Sequence, residues 1–496
     1  MATVREVLMF TRAMFSVFSV FPMSPMSPMF PMVSMFICLM CTAVCVLAGP
    51  ACLHAATFSP GVQADVCNRA TLSGVVRYVA TTGNDTTGDG TAARPYRTLL
   101  RAAEVVQANE TIVLRQGTYV EADEIRLRVP GVTIRSYPGE WAIVDRRAET
   151  EYGSGIYFYV GSDGGALECV EVRGGFYAVS TETKWDWGDP DDRAGASRIR
   201  IENTKLHSSL RDVVKIKPNS DDIIIRHNEI YNSGVNEPPD DCNAEGIDNV
   251  NGDRTLVAHN HIHDICSTGV YLKGGATDGV IEYNLIERTG GAGILLGFDT
   301  SPEYFDLTVN PNYYENIRGI ARNNLVRDTG GSGIGFYASL DAKAYNNTLV
   351  DTASSFHTPI YFGITFQDWD PEAGRPANRN PTVLYNIVSQ PGTPTQQVVA
   401  IRYSTELGGL SALDGALRIN ANCYWRAAGA AWFDDGRTNW SGNFAQWKTH
   451  IGGDGSTRET NPQLDADSLP QQAVCMGRGH GGALGGGVPG MALLLE

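Results

Sequence analysis

A phrase of the form I/V-x-x-N-x-I/L/V recurs through the middle of the chain. It stands at Ile225–Asn228–Ile230, Val257–Asn260–Ile262, Ile281–Asn284–Ile286, Ile320–Asn323–Leu325, Ala344–Asn347–Leu349 and Val383–Asn386–Val388. A degenerate copy at Ile201–Leu206 has Thr204 in the Asn place. The spacings are 24, 32, 24, 39, 24 and 39, which is one period of 24 with 8 or 15 residues sometimes added. After each phrase comes a small residue and an alternating run: Asp212-VVKIK, Gly246-IDNVN, Gly269-VYLKG, Gly293-ILLGF and Gly333-IGFYA. Alternation is the signature of strands, and no segment between these turns shows the 3.6-residue period of a helical repeat. A 24-residue unit of short strands joined by Gly and Asn turns is one coil of a parallel β-helix, so the fold class is all-β. Strands in stacked coils lie about 4.8 Å apart, close enough for equivalent Asn side chains to hydrogen-bond as a ladder. The length of 496 residues, about three average domains, is then mostly one solenoid.

The register places Val214, Ile247, Val270, Ile294 and Ile334 in one inward column, and Ile216, Asn249, Leu272, Leu296 and Phe336 in another. The alternate positions face solvent: Lys215, Asp248, Tyr271, Leu295 and Gly335, then Lys217, Val250, Lys273, Gly297 and Tyr337. The added residues fall at 231–245, 299–317 and 367–380, and a further loop at 184–193 follows an earlier equivalent strand. Long loops therefore wall one sheet, and loops on a rigid scaffold are where binding concentrates. Trp185, Trp187, Tyr304, Phe305, Tyr313, Tyr314 and Trp369 offer flat apolar faces suited to sugar rings. Asp241, Glu245 and Asp248 are oxygen donors of the kind Ca²⁺ takes, without the spacing of an EF-hand. His259, His261 and His263 flank a ladder Asn and read as surface polar residues rather than a metal site. Gly479-His480-Gly481 lies beyond the solenoid in a Gly-rich stretch, 477–489, that reads as flexible.

Residues 1–56 stand apart. They hold nine of the eleven Met, only three charges (Arg5, Glu6, Arg12) and an apolar run, Met35–Ala48. The run is too short for a membrane span of about 20 residues and reads as part of a secretory signal or leader. The expected order is a leader (1–56), a β-helix (57–425) and a C-terminal cap with a Gly-rich tail (426–496). The mature chain is expected to be secreted, periplasmic or on the cell surface, without a membrane span. The six remaining cysteines form no CxxC pair. Cys242 and Cys266 precede the outward strand in consecutive coils, which predicts a disulfide between them. A net charge of −16 argues against a nucleic-acid partner.

Before the solenoid runs Tyr78–Glu121, YVATTGNDTTGDGTAARPYRTLLRAAEVVQANETIVLRQGTYVE. Within it 98–108 reads as a helix with Thr98 at its N-cap, able to cover the first coil. This run resembles the opening of secreted right-handed parallel β-helix proteins of the pectate-lyase-like superfamily, and the resemblance covers roughly 75–425. It implies a right-handed coil and an acidic polysaccharide or other glycan as partner. It also implies a polysaccharide lyase that cleaves uronate polymers by β-elimination. That chemistry needs a base and cations to stabilise an enolate. Register and chemistry suggest Lys273 as base, Lys217 and Lys215 as stabilising charges, and Tyr271, Tyr337, Trp185, Trp187 and Trp369 as sugar contacts. Asp241, Glu245 and Asp248 are the Ca²⁺ candidates. A glycoside hydrolase, a C-5 epimerase and a non-catalytic glycan-binding surface protein remain alternatives.

Overall fold

The computed structural model describes residues 58–147, 153–185, 193–238, 242–365, 375–392 and 397–482. The leader, residues 186–192 and 366–374, and the end of the Gly-rich tail lie outside the described residues. So do the sequence expectations that rest on them.

Three sheets of twelve strands run the length of the molecule, parallel throughout except for the last strand of the third. Sheet one extends from Val76–Val79 to Arg418–Asn420, sheet two from Gly117–Val120 to Arg458–Glu459, and sheet three from Ile125–Leu127 to Trp440–Asn443. Each coil contributes one strand to each sheet. Ile224–Arg226, Glu229–Tyr231 and Ile247–Val250 make one coil; Leu256–Ala258, His261–Ile265 and Val270–Lys273 make the next. Every strand pairs with its counterpart one coil on, which is a parallel β-helix.

The inward columns form the core. Val214, Ile247, Val270, Ile294, Ile334, Ile360 and Val399 stack in register on sheet three, each 1% exposed or less. Full burial of each such side chain stabilises by about 1.5–3 kcal/mol. Asn249, the one polar residue in its column, bonds the Gly252 carbonyl (2.8 Å) and Thr255 Oγ1 (3.0 Å), which answers its burial.

The asparagine ladder is present and longer than the phrase predicts. It runs Thr204, Asn228, Asn260, Asn284, Asn324, Asn347, Asn386 and Asn422. Thr457 Oγ1 accepts from the Asn422 backbone N–H (2.9 Å) at the end. Each interior Asn side chain donates to the next rung and to a carbonyl of the preceding coil, so its amide is satisfied within the stack. One rung corrects the sequence reading: the ladder residue is Asn324, with Ala321 and Val326 inward, and not Asn323 in an Ile320–Leu325 phrase. Asn323 instead occupies the left-handed position (φ 53°) that precedes each rung, as do His227, His259, Tyr283, Asn346 and Tyr385. That conformation makes the sharp corner between sheets one and two.

Both ends are covered. Leu99–Val105 is a helix; the Thr98 hydroxyl accepts from the Arg101 N–H, and Leu99 and Ala102 are fully buried over the first coil. It stops short of the predicted 108. At the far end Trp432–Asp435 pairs antiparallel with Trp440–Asn443, and the helix Phe444–Ile451 lays Phe444 and Trp447 onto the last coil. The coil stack thus continues past 425, to Arg458–Glu459. Residues 477–482 are packed rather than loose: His480 is 3% exposed, bonded through Nδ1 to Thr348 Oγ1 (2.9 Å) and tilted against Phe58. Three disulfides tie the chain: Cys67–Cys169, the predicted Cys242–Cys266, and Cys423–Cys475. Among the described residues no helix is long and apolar enough to cross a membrane.

Candidate functional site

The outward column of sheet three follows the predicted register and extends two coils further back and one further on. It reads Tyr157, Ser180, Lys215, Asp248, Tyr271, Leu295, Gly335 and Tyr361. The alternation that buries Val214 and Ile216 therefore turns Lys215 away from the core, toward the loops.

Much of this column is not open to solvent, contrary to expectation. Tyr271, Leu295, Tyr337 and Tyr361 are buried in a second apolar layer outside the sheet, with Phe298 and Ala400 packed against them. Phe298, just ahead of the 299–317 loop, lies against both Tyr271 and Tyr337, and the long loops beyond it have a buried centre of their own. Glu315, fully buried, accepts from the Gly274 N–H (2.9 Å) and the Thr300 hydroxyl (2.7 Å), and pairs with the equally buried Arg375 (3.0 Å). The Arg375 guanidinium lies over the rings of Phe305 and Tyr313, so these aromatics pack their own loop. Arg193 reaches Asp306 (2.7 Å) and joins the neighbouring loop to it.

Where the column stays accessible, a cavity of about 420 Å³ opens. Lys215, Lys217, Lys273 and Asp248 reach it from the sheet, and Tyr177, Arg211, Asn243 and Tyr304 border it. The structure thus brings the three predicted lysines together, in three electrostatic settings. Lys215 forms an ion pair with Asp248 and lies 3.3 Å from Asp212. Burial alone would lower its pKa, but those two carboxylates outweigh it and carry the ammonium well above the lysine range. Lys217 has no carboxylate in contact; its Nζ donates to the Tyr157 hydroxyl (2.7 Å). Burial lowers its pKa; the Glu182 and Glu124 charges oppose this, and the Lys215 charge acts with burial, leaving the net shift downward. Lys273 Nζ sits 3.6 Å from the second Asp248 oxygen and 4.5 Å above the Tyr271 ring.

Beneath the lysines lie three acids. Asp212, Glu245 and Asp248 offer oxygens within 4.8 Å of one another. Burial, then the Asp212 charge, push Glu245 well above the carboxyl range. Burial also opposes ionisation of Asp212, yet Lys215 and the bonds from Glu245 hold it below its ordinary value. The charge on either of these two carboxyls thus opposes ionisation of the other. This donor set does not fit Ca²⁺ as built. The Lys215 ammonium already bridges two of the acids, and all three are 3% exposed or less. Calcium takes six to eight oxygens in a hydrated or open setting.

The other predicted residues separate from this group. Tyr271 stacks flat on Phe298 (5.1 Å), and Tyr337 meets the Phe298 edge (5.4 Å), so neither presents a free face to a sugar. Trp185 lies in the short strand Thr183–Trp185 beside the cavity residue Thr183. Trp187, Trp369 and Asp241 lie outside the described residues. Sequence reasoning missed Asp212, Tyr157 and Tyr177. Asp212 was findable, since it falls two positions before Val214 as Glu245 does before Ile247. Tyr157 follows from carrying the outward column back to Gly155-IYF.

Residues 193–321 match a family model described as right handed beta helix region, and residues 81–131 one described as protein of unknown function (DUF1565). No curated protein matches the chain. Similar solved structures include the pectate lyase Pel9A, 15% identical over 71% of this chain and 80% of that one, TM-score 0.47. Another is the GH136 lacto-N-biosidase from Eubacterium ramulus, 12% identical over 71% and 64%, TM-score 0.43. A third is the mannuronan C-5 epimerase AlgE4 A-module from Azotobacter vinelandii, 13% identical over 72% and 94%, TM-score 0.43. The coil geometry and the matched region make the fold a right-handed parallel β-helix.

Proposed function

We propose that the protein is an exported polysaccharide lyase that cleaves a uronate-containing polymer by β-elimination, with Lys217 as its base. The observation that carries this is the contrast between two lysines on one cavity floor. Lys215 is locked as a cation by Asp248 and Asp212, while Lys217 is desolvated, donates to the Tyr157 phenol, and is pushed toward its neutral form. This exchanges the roles expected from register, in which Lys273 is the base.

In the proposed step the Lys217 amine takes the C5 proton of the uronate. The electron pair left on carbon delocalises into the carboxylate, where Lys215, Lys273 and Arg211 supply positive charge. Collapse forms the C4–C5 double bond and expels the C4 oxygen, which takes up a proton. The charges are fixed before substrate arrives, so the developing enolate meets donors that need no reorganisation. A cation-lined floor also explains how a chain of net charge −16 would hold a polyanion. No step is assigned to calcium. Three disulfides support export, since such bonds persist in oxidising compartments.

The test is a panel of pectate, alginate and glycosaminoglycans, followed by ultraviolet absorbance of unsaturated uronate, with and without chelator. One polymer is expected to give absorbance that Lys217→Met abolishes and chelator leaves unchanged. New reducing ends without absorbance would make the protein a hydrolase instead. Binding without either signal would make it a glycan-binding protein. Full activity in Lys217→Met would remove the base assignment.

A further inference from the structure

On the outer face of sheet two, away from the lysine cavity, the strand His261–Ile265 carries His261 and His263 at alternate positions, so both rings leave on the same side. Their centroids are 4.2 Å apart. Glu229 stands directly opposite His261 on the preceding coil. We propose that Glu229, His261 and His263 form a binding site for a divalent transition-metal ion of the zinc class.

Four observations support the assignment. First, the three residues offer one ligand atom each within 4.8 Å of one another. Second, each imidazole is held at one nitrogen by a carboxylate that is not itself a proposed ligand: His261 Nε2 by Glu287 (3.0 Å) and His263 Nδ1 by Asp264 (2.7 Å). A carboxylate on the far nitrogen is the usual way a metal-bound histidine is oriented. Third, His263 Nε2, shielded from solvent, meets Glu229 Oε1 only at 3.5 Å, an ion-pair contact too long and poorly aligned for a good hydrogen bond. A buried imidazole nitrogen left open toward a carboxylate is a position a metal satisfies. The other Glu229 oxygen is taken by Lys205 (2.7 Å), which leaves Oε1 for the ion. Fourth, Tyr231 lies flat on His263 (5.0 Å, 3°) and fixes the ring plane.

Two imidazole nitrogens and one carboxylate oxygen select Zn²⁺ and its neighbours in the Irving–Williams order over Ca²⁺ or Mg²⁺. Three protein ligands leave a fourth position. A cavity of about 570 Å³ adjoins them, bordered by His261, Glu229, Lys205, Glu171 and Trp141, with Gly61 of the N-terminal segment against it. His259, the third histidine of the alternating set, is no part of this group. It sits at the left-handed corner (φ 55°), stacked between His227 and Tyr283.

The test uses the full protein without a polyhistidine tag and Co²⁺ as a spectroscopic probe, with Zn²⁺ as competitor. One equivalent of Co²⁺ is expected to bind and be displaced by Zn²⁺. Glu287→Gln, at a residue that holds His261 and also pairs with Arg288 and Arg327 but is no ligand, should weaken binding about 10–100-fold, and His261→Gln or His263→Gln should weaken it further. Circular dichroism identifies any variant that fails to fold, in which case the Glu287→Gln result decides. Absence of Co²⁺ uptake by the unaltered protein, or equal uptake by every folded variant, overturns the proposal.

Discussion

Replacing Lys215 by Met tests the ion pairs that fix its ammonium on the cavity floor. The side chain is 17% exposed, and its two partners, Asp212 and Asp248, are 1% and 4% exposed. Met fills similar volume without the charge. Asp248 then keeps only Lys273, at 3.6 Å, and Asp212 keeps the Glu245 backbone N–H (3.1 Å) and the Glu245 carboxyl. Removing one partner of a buried pair costs about 3–5 kcal/mol, and the contacts that survive here favour the lower end. Solenoids need not unfold in one step. Urea titration is therefore best paired with hydrogen exchange at Val214–Ile216 and Ile247–Val250, where the loss should concentrate. The deficit should also depend on pH. In the native protein Asp212 is held below its ordinary pKa of 3.8, so its contribution is present above that value and lost as pH falls through the depressed one. Without Lys215 that contribution is missing, so the deficit is largest near neutrality and shrinks in acid. Adding Asp248→Asn should restore at least half of it. A Lys215→Met protein within about 1 kcal/mol of the parent, with unchanged exchange at both strands, would refute the account of this pair.

Other outcomes follow from the same geometry. If Lys217 is the base, kcat/KM should rise with pH and level off below 10.5, the ordinary lysine value, because burial favours its neutral form. Asn324→Ala breaks side-chain bonds to Ile281, Asn347 and Asn284 and should cost about 2–5 kcal/mol by chemical denaturation, whereas Asn323→Gly, at φ 53°, should cost under about 1 kcal/mol. Burial lowers the His480 pKa to about 4 from 6.5. The unfolded chain then binds the extra proton first as pH falls, so stability drops by about 2 kcal/mol between pH 7 and 5, and His480→Gln should flatten that slope. Alkylation should label six cysteines only after reduction, and loss of Cys423–Cys475 should loosen 460–482 toward proteolysis.

The core register was legible because its signal is local: apolar alternation after a small residue locates Val214, Ile247, Val270, Ile294 and Ile334 without knowledge of the third dimension. The slip at Asn323 has an equally local cause. Two asparagines stand side by side, the true inward residue is the small Ala321, and the larger Ile320 draws the pattern one place too early. The cover over Tyr271 and Tyr337 was not legible, since alternation says which side of a sheet a residue leaves from and nothing about what a distant loop lays over it. The order of the lysines was hidden for the same reason. Lys215 and Lys217 differ by two positions in sequence, and only the coils on either side, with Asp248 ahead and Tyr157 two turns behind, make one a fixed cation and the other a desolvated amine.

The covers at the two ends bear on how the molecule behaves among copies of itself. Twelve parallel strands present the same unpaired backbone edge at the first coil and the last, and such edges add further strands without limit. The Leu99–Val105 helix blocks growth at one end. At the other, the strand Trp440–Asn443 reverses direction, and Trp447 seals the opening behind it. A truncated chain ending before Trp432 would keep its coils and lose that stop. With the Leu99–Val105 helix still covering the first coil, only one end is open, so it should pair end to end into dimers rather than filaments, which makes the terminal turn a determinant of association state as much as of stability.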